Sequence, residues 1–255
     1  MSGTSHDGLD LAACTFTFDD SWLFAIDHAI TIPYTDQWRN RLIGLISAGE
    51  EEIERADREL GEMIGKEVRR FIDEHACKPD FVSSHGHTIF HRPEKKLTRQ
   101  IGNGQAIADN CGIKVVNDFR TRDIELGGQG APLVPIGDRL LFGEYDFCLN
   151  LGGIANISYE QDGKRIAYDI CPVNMVLNKL SERMGEPFDD GGWLAQSGHA
   201  IGSLIAELES LPFYHQPPPK SLGREWVEEN IFPLLLQEAT RDLLASFVQH
   251  IVMRI

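Results

Sequence analysis

Two short glycine-bearing segments hold the residue types from which a phosphate grip can be built. The first, Gly3-Thr4-Ser5-His6-Asp7-Gly8-Leu9-Asp10, puts flexible backbone, two hydroxyls and two carboxylates within eight residues. Glycine lets backbone amides converge on phosphate oxygens, hydroxyls donate hydrogen bonds, and an aspartate such as Asp7 can hold Mg²⁺ through water. A plain turn ahead of a strand is the alternative. The second segment is Asn150-Leu151-Gly152-Gly153-Ile154-Ala155-Asn156. Its glycine pair between apolar runs suits either a second phosphate loop or an ordinary hairpin turn. The chain has no Gly-x-x-x-x-Gly-Lys-Ser/Thr, which disfavours a P-loop. Gly102-Asn103-Gly104 begins a dinucleotide pattern, but Ile107 stands where its third glycine belongs.

Other residues could do acid–base or recognition chemistry. Asp169 closes a predicted strand and leads into Ile170-Cys171-Pro172-Val173-Asn174. A carboxylate at a strand exit can act as a general base, and a helix-entry turn aspartate is the alternative. His85-Gly86-His87, with His91, has the spacing of metal ligands, although sugar-hydroxyl recognition or loop hydrogen bonding suits it better. Asp118-Phe119-Arg120-Thr121-Arg122-Asp123 sets two arginines beside two aspartates. Arginine suits a carboxylate or a phosphate, and mutual salt bridges are the other reading. Gly127-Gly128-Gln129-Gly130-Ala131-Pro132 then allows a ligand close to the backbone.

The elements that must position these residues follow an α/β pattern. Strands are predicted over Leu11 to Phe18 and Trp22 to Ile32, joined at Asp19-Asp20-Ser21 and ended by Pro33. Asp36 is expected to cap a helix running to about Ser47. A second helix carries Ile53, Ala56, Leu60, Ile64, Val68 and Phe71 at three- and four-residue steps. A strand at Asp80 to Ser84, a helix at Gln105 to Cys111 and a strand at Ile113 to Asn117 complete the first half. In open sheets of this kind, ligands sit beyond the carboxyl ends of the strands.

The second half repeats the outline, with strands at Tyr145 to Asn150, Ile154 to Glu160 and Arg165 to Asp169 and a helix at Asn174 to Met184. A glycine loop feeding a β-hairpin thus occurs twice, at Gly3 and at Gly152. That suggests a duplicated domain, residues 1–135 and 136–255, with a cleft between the copies. No strand precedes Gly3, and the chain stops inside an apolar helical run that begins near Pro233. The sequence is therefore expected to be a fragment at both ends.

Composition narrows the function classes. Of 255 residues, 42% are hydrophobic and 25% charged, as in ordinary globular domains, and the formal net charge is -15. So acidic a surface repels phosphate backbones and disfavours nucleic acid as a partner. The five cysteines (Cys14, Cys77, Cys111, Cys148, Cys171) are scattered, without a Cys-x-x-Cys pair. Reduced thiols in the cytoplasm are the expectation. No apolar run approaches the roughly 20 residues that span a bilayer, and the first residues lack the regions of a signal peptide.

Taken in order, these motifs resemble a known family. Met-Ser-Gly-Thr-Ser-x-Asp-Gly-x-Asp, Ser84-His85-Gly86-His87-Thr88, Gln100-Ile101-Gly102-Asn103 and Asp118 to Pro135 are followed by Asn150 to Ser158 and Asp169 to Asn174. Asp189-Asp190-Gly191-Gly192 and Pro219-Lys220-Ser221-Leu222-Gly223-Arg224-Glu225 complete the series. It resembles the anhydro-N-acetylmuramic acid kinases of bacterial cell-wall recycling. The resemblance implies a duplicated actin-like (ribonuclease H-like) fold of two lobes that grips ATP phosphates between two hairpin loops. It implies that water opens the 1,6-anhydro ring while the γ-phosphoryl group of ATP passes to O6, giving N-acetylmuramic acid 6-phosphate. Carried over by position, Gly3, Thr4, Ser5, His6, Asp7, Gly8, Leu9 and Asp10, with Gly152 and Gly153, would contact phosphates. Asp169 would activate the water, and Thr88, Arg120, Gly130 and Asn174 would hold the sugar. The lactyl carboxylate of a muramic acid would give Arg120 or Arg122 a partner. Mg²⁺ would arrive with ATP near Asp7, no direct metal ligand is expected, and a homodimer is the expected assembly.

One departure stands out. The family usually has Asp-Thr-Gly-Pro-Gly-Asn where this chain has Asp169-Ile170-Cys171-Pro172-Val173-Asn174, so backbone contacts from that turn are in question. Another actin-like sugar or small-acid phosphotransferase, a nucleotide- or muropeptide-binding lobe without turnover, and, distantly, a metal-dependent hydrolase are the competing readings.

Overall fold

The structure, a computed structural model, describes residues 2, 8–92, 97–128, 130, 132–236 and 238–255. It is mixed α/β, and the chain divides into two compact units, Met1–Leu133 and Val134–Ile255. Among the described residues no helix is long and apolar enough to cross a membrane.

The first unit opens with a long antiparallel hairpin, β1 (Gly8–Asp19) and β2 (Ser21–Pro33), which turns at Asp20. The φ of 59° at Asp20 lies in the left-handed region that aspartate tolerates better than most residues. Only the root of the hairpin reaches the core, through Leu9, Leu11 and Ile32. Ser2 bridges Leu9 on one side and His87 on the other.

Helix α1 (Asp36–Gly44) is capped by Thr35, whose hydroxyl accepts from the Trp38 amide. Asp36, expected as the cap, is the first helical residue instead, because its neighbour keeps the extended backbone a cap requires. Helix α2 (Glu50–His75) buries one face, including Ile53, Ala56, Leu60, Ile64, Val68 and Phe71, as its periodicity predicts. Its acidic first turn, Glu50 to Glu52, complements the helix dipole.

Strands β3 (Val82–Ser84) and β6 (Val115–Asn117) pair in parallel, flanking the antiparallel hairpin of β4 (His87–Arg92) and β5 (Leu97–Ile101) in the chain. The sequence pattern gives no strand between 89 and 104, because the run is short, polar and interrupted by Pro93. Helix α3 (Gly104–Cys111) lies against α2. Its cap Asn103 is fixed by Asp57 of α2, which accepts from the Gly102 amide (2.9 Å) and from Asn103 Nδ2 (3.1 Å). The Gln100 to Gly104 motif is therefore a helix-joining device. Helix α4 (Thr121–Glu125) ends the unit.

The second unit begins with α5 (Val134–Leu141) and a three-stranded antiparallel sheet in the order β7 (Phe147–Leu151), β8 (Ile154–Gln161), β9 (Lys164–Pro172). Helices α6 (Asn174–Glu182), α7 (Trp193–Gln196), α8 (Gly202–Glu209), α9 (Arg224–Asn230) and α10 (Thr240–Arg254) complete it. Leu243, Leu244 and Phe247 of α10 are fully buried against residues of β9, α6 and α8. Asp189 caps α7, accepting from the Leu194 and Ala195 amides, while Gly191 and Gly192 take positive φ beside it. That motif too is structural.

The α2–α3 crossing makes a sharp test. A Cβ on Gly65 would lie 2.6 Å from Asn110 Cβ and 2.7 Å from the Ile107 carbonyl oxygen. Gly65→Ala is expected to destabilise by about 1–3 kcal/mol, the usual cost of overpacking, although alanine is the better helix former. Gly137→Ala, within α5 and with nothing inside 4 Å, is expected to stabilise by about 0.5–1 kcal/mol. Denaturant melts of the two variants check both signs.

Candidate functional site

In the second unit, three strands bring the candidate residues to one end of a sheet. Asn150 of β7, Asn156 of β8 and Asp169 of β9 are direct register partners in turn, so they form one polar row across the sheet. Gly152 and Gly153 form the two-residue connection between β7 and β8, immediately beyond that row. Their carbonyls accept from the start of α6. Gly152 takes the Asn174 amide (3.2 Å), and Gly153 takes those of Val173 (2.9 Å) and Met175 (3.2 Å). Asn174 Nδ2 adds a bond to the Leu151 carbonyl (3.2 Å). The carbonyl side of the loop is thus committed to α6. Among the described residues the Gly152 and Gly153 amides donate to nothing.

Neither glycine is demanded by its own backbone, since neither has positive φ. A Cβ on Gly153 would meet only Met175 at an ordinary 3.9 Å, and one on Gly152 would touch the Asn150 side-chain amide at 3.3 Å. What glycine does here is keep the loop open to close approach from outside.

Asp169 does not end its strand. It sits three residues inside β9, beside a bulge at Ile170 that breaks the register between Ala155 and Asn156. The bulge carries the strand on to Pro172, beyond the end that the polar Asp169 suggests in the sequence. A segment of the chain that sequence reasoning did not connect with Asp169 holds it in place. The Asp169 amide donates to the Lys220 carbonyl (3.0 Å), and the Leu222 amide donates to Asp169 Oδ2 (2.7 Å). Pro219 to Glu225 is conspicuous as a motif, but only the fold discloses that it docks on β9. Burial raises the Asp169 pKa above its ordinary value, against a smaller lowering by the Leu222 amide. Its Oδ1 has no partner among the described residues. The carboxylate is anchored by one oxygen and free at the other.

The three residues that depart from the family pattern, Ile170, Cys171 and Val173, are all core residues. Cys171 is fully buried and Val173 nearly so. The Val173 φ of -131° lies outside the left-handed region. Burial pushes the Cys171 thiol up to about 12, so it is inert.

In the first unit, of the residues predicted to hold a sugar, Gly130 is bonded to Arg120, and His85 joins them. The Arg120 Nη1 donates to the Gly130 carbonyl (2.7 Å), while Nε and Nη2 lie 3.1 and 2.9 Å from His85 Nε2. Asp123 Oδ2 accepts from the Gly130 amide (2.7 Å). Gly130 has φ of 66°, and a Cβ there would strike Ile124 at 2.8 Å, so its glycine is structural. The mutual salt bridges expected as an alternative do not form among the described residues. Asp118 Oδ1 accepts instead from the Thr121 amide at the start of α4. Arg122 is exposed. Burial and the neighbouring Arg120 charge lower the His85 pKa.

Thr88 lies on β4, half-buried, with Gln100 Nε2 at 3.4 Å from its hydroxyl. His87 is buried and bonded to Ser2 Oγ (2.9 Å). The two histidines have separate partners, the His91 side chain lies outside the described residues, and no metal-binding cluster exists among the described residues.

Of the first loop, Gly3, Thr4, Ser5, His6 and Asp7 lie outside the described residues. Gly8, Leu9 and Asp10 belong to β1. Gly8 packs against the Ile32 carbonyl, Leu9 is a core residue, and Asp10 accepts from the Thr31 hydroxyl (2.7 Å).

The environment of Asp169 carries a pH signature. A carboxyl whose folded pKa is raised contributes stability that is full below the unfolded value and is lost as pH rises through the folded value. Asp169→Asn keeps an oxygen for the Leu222 amide without the charge. The variant should therefore gain stability over the parent protein as pH rises from the ordinary carboxylate range towards neutrality, and match it at acid pH. Thermal melts across that range measure the difference, and a variant less stable at neutral pH would contradict it.

Comparison with known proteins follows the same residues. A family model described as Anhydro-N-acetylmuramic acid kinase matches residues 1–255. The chain is 38% identical to the Anhydro-N-acetylmuramic acid kinase of Acinetobacter baylyi over 251 residues, covering 91% of this chain and 65% of that protein. It is 36% identical to the protein of the same name from Nitrosomonas europaea, covering 98% of this chain and 72% of that one. With the Pseudomonas putida protein, also so named, identity is 38% at the same coverages. The chain thus spans about two thirds of the length of the curated relatives it matches. With a family match over its whole length and relatives at 36–38% identity, the chain belongs to the anhydro-N-acetylmuramic acid kinase family.

Proposed function

We propose that the protein is an ATP-dependent kinase that hydrolytically opens 1,6-anhydro-N-acetylmuramic acid and phosphorylates O6, giving N-acetylmuramic acid 6-phosphate. The observation that carries this reading is a partly buried carboxylate, Asp169, anchored through Oδ2 and open at Oδ1. It shares one end of a sheet with a glycine loop whose amides donate to nothing among the described residues. That pairing suits a reaction needing both a base for water and donors for phosphate. The relatives' name supplies the sugar.

Each unit has its part. In the second, Asp169 Oδ1 accepts a proton from water as its oxygen bonds to the anomeric carbon. The C1–O6 bond breaks, and O6 takes the γ-phosphoryl group as ADP leaves. A raised pKa favours this role, because a base is most effective when its pKa lies near the working pH. The Gly152 and Gly153 amides are donors of the kind that phosphate oxygens require, at no cost in reorganisation. In the first unit, Arg120 meets the lactyl carboxylate, with Gly130 bonded to it, and Thr88 is a further contact to the sugar.

An actin-like fold, with the two units as its duplicated lobes, is the architecture this reading carries, together with a cytoplasmic, homodimeric protein. Mg²⁺ is expected with the nucleotide to shield phosphate charge. The residue that the sequence offers near it, Asp7, lies outside the described residues.

Three variants test the assignment. Asp169→Asn should bind ATP and sugar normally while turnover falls by about 10²–10⁴-fold, the usual worth of a general base. Near-normal turnover would overthrow the role. Gly153→Ala, which the fold accommodates, should raise the KM for ATP by about tenfold or more by blocking close approach. Unchanged ATP kinetics would make the loop a mere turn. Arg120→Lys should weaken sugar use more than ATP use, since a forked contact becomes a point contact. Equal losses would remove Arg120 from the sugar site.

A further inference from the structure

The Arg120 guanidinium has a partner that no motif assigns to it. Of the five N–H groups of an arginine, three are engaged, two by His85 Nε2 and one by the Gly130 carbonyl. A nitrogen that receives two N–H donors must carry a lone pair, so His85 Nε2 is unprotonated. Its proton is on Nδ1, which lies 3.2 Å from the Gly86 carbonyl and donates to it. Gly86 is itself immobilised, with φ of 69° and a Cβ position 2.3 Å from the Ile101 carbonyl oxygen, where β5 ends. The chain of contacts thus runs from β5 through Gly86 and the His85 ring to the guanidinium. On the other side the Gly130 carbonyl holds Nη1, and the Asp123 carboxylate holds the Gly130 amide.

The two N–H groups left over lie one on each Nη, because one hydrogen of each is already engaged. An end-on carboxylate uses one N–H of each Nη in a forked contact. No carboxylate is paired with Arg120 among the described residues, so the guanidinium is oriented without being neutralised.

We propose that His85 is a positioning residue for the sugar's carboxylate. As a neutral acceptor it aims Arg120, and it leaves the full positive charge available to an anionic substrate. An aspartate in its place would hold the guanidinium as firmly but would cancel that charge. This inference rests on the reading of Arg120 as the contact to the lactyl carboxylate.

The test compares His85→Ala, His85→Gln, Arg120→Ala and the His85→Ala/Arg120→Ala double variant in the protein, with KM for the anhydro-sugar, KM for ATP and turnover measured separately. Glutamine can place an oxygen acceptor near the position of Nε2. His85→Ala is expected to raise the sugar KM by about tenfold, comparable with losing a supporting partner in a metal site. KM for ATP should not move, His85→Gln should restore most of the loss, and the double variant should be little worse than Arg120→Ala alone. Full additivity, or a sugar KM unmoved by His85→Ala while Arg120→Ala raises it, would overturn the role of His85. A sugar KM unmoved by Arg120→Ala would instead remove the underlying reading, and the inference with it. Should His85→Ala fail to fold, ¹⁵N spectra of the unmutated protein decide the matter, with the His85 signals identified by their loss in His85→Gln. Protonated Nδ1 with bare Nε2 upholds the arrangement, and the opposite tautomer refutes it.

Discussion

Withdrawing a carboxylate from water is costly, and folds commonly offset that cost with a cation. Asp169 receives one backbone N–H instead, from Leu222. The second unit depends on this choice. An arginine or lysine in that place would hold the side chain firmly and lower its pKa, which would weaken it in the base role proposed for it. A single amide fixes the direction of one oxygen and leaves burial to dominate the proton affinity. To present that amide, the chain between Pro212 and Arg224 must return to the edge of β9, and Lys220 and Leu222 straddle Asp169 there. Lys220 itself is turned aside, its ammonium over the Phe213 ring and bonded to the Phe213 carbonyl, so its charge is directed to another group.

The same economy governs the first unit with the sign reversed. Arg120 is partly buried, and the surrounding groups that meet it directly are neutral, an imidazole nitrogen and a carbonyl oxygen. Asp123, the nearby acid, spends its Oδ2 on the Gly130 amide. In each unit a charged side chain is oriented by uncharged donors or acceptors, which leaves its charge uncancelled. A structural ion pair, such as Arg254 with Glu209 beneath α10, does the opposite and is complete in itself.

How much of this was legible in the sequence depended on whether the information was local. The α2 stripe, the β1–β2 hairpin and the strand–glycine–strand arrangement at 147–161 follow from periodicity and turn residues, and they are found. Asp169, Arg120 and the Gly152 loop were visible as residue types in suitable places. The β4–β5 hairpin was not, because its pairing is stabilised by α2 and by Ser2 as much as by its own residues. Nor could the sequence say that Leu222 serves Asp169 across 53 positions, or that His85 serves Arg120 across 35. Those are properties of chain crossing, which spacing does not encode. The end of β9 was misjudged for a related reason. A polar residue in an apolar run looks like a terminus, but a bulge lets the strand carry Asp169 and continue.

The glycines show how fold and function can be separated within the same motifs. At Gly86, Gly102 and Gly130 the backbone has positive φ, and at Gly65 and Gly104 a neighbouring group occupies the space a side chain needs. Those glycines are accounted for by the unit that contains them, whatever the protein binds. Gly152 and Gly153 are different. Their backbone is ordinary, their surroundings would accept a methyl group with little or no adjustment, and their amides face no acceptor among the described residues. A two-residue connection whose surroundings would accept a side chain, and that carries two glycines, leaves its backbone open to close approach from outside. On the proposed reading a phosphate on those amides and the Asp169 carboxylate serve one reaction centre, and the repulsion between them would raise the proton affinity of Asp169 further. Nucleotide binding and basicity at Asp169 would then be coupled, so that the base is strongest when the phosphoryl donor is in place.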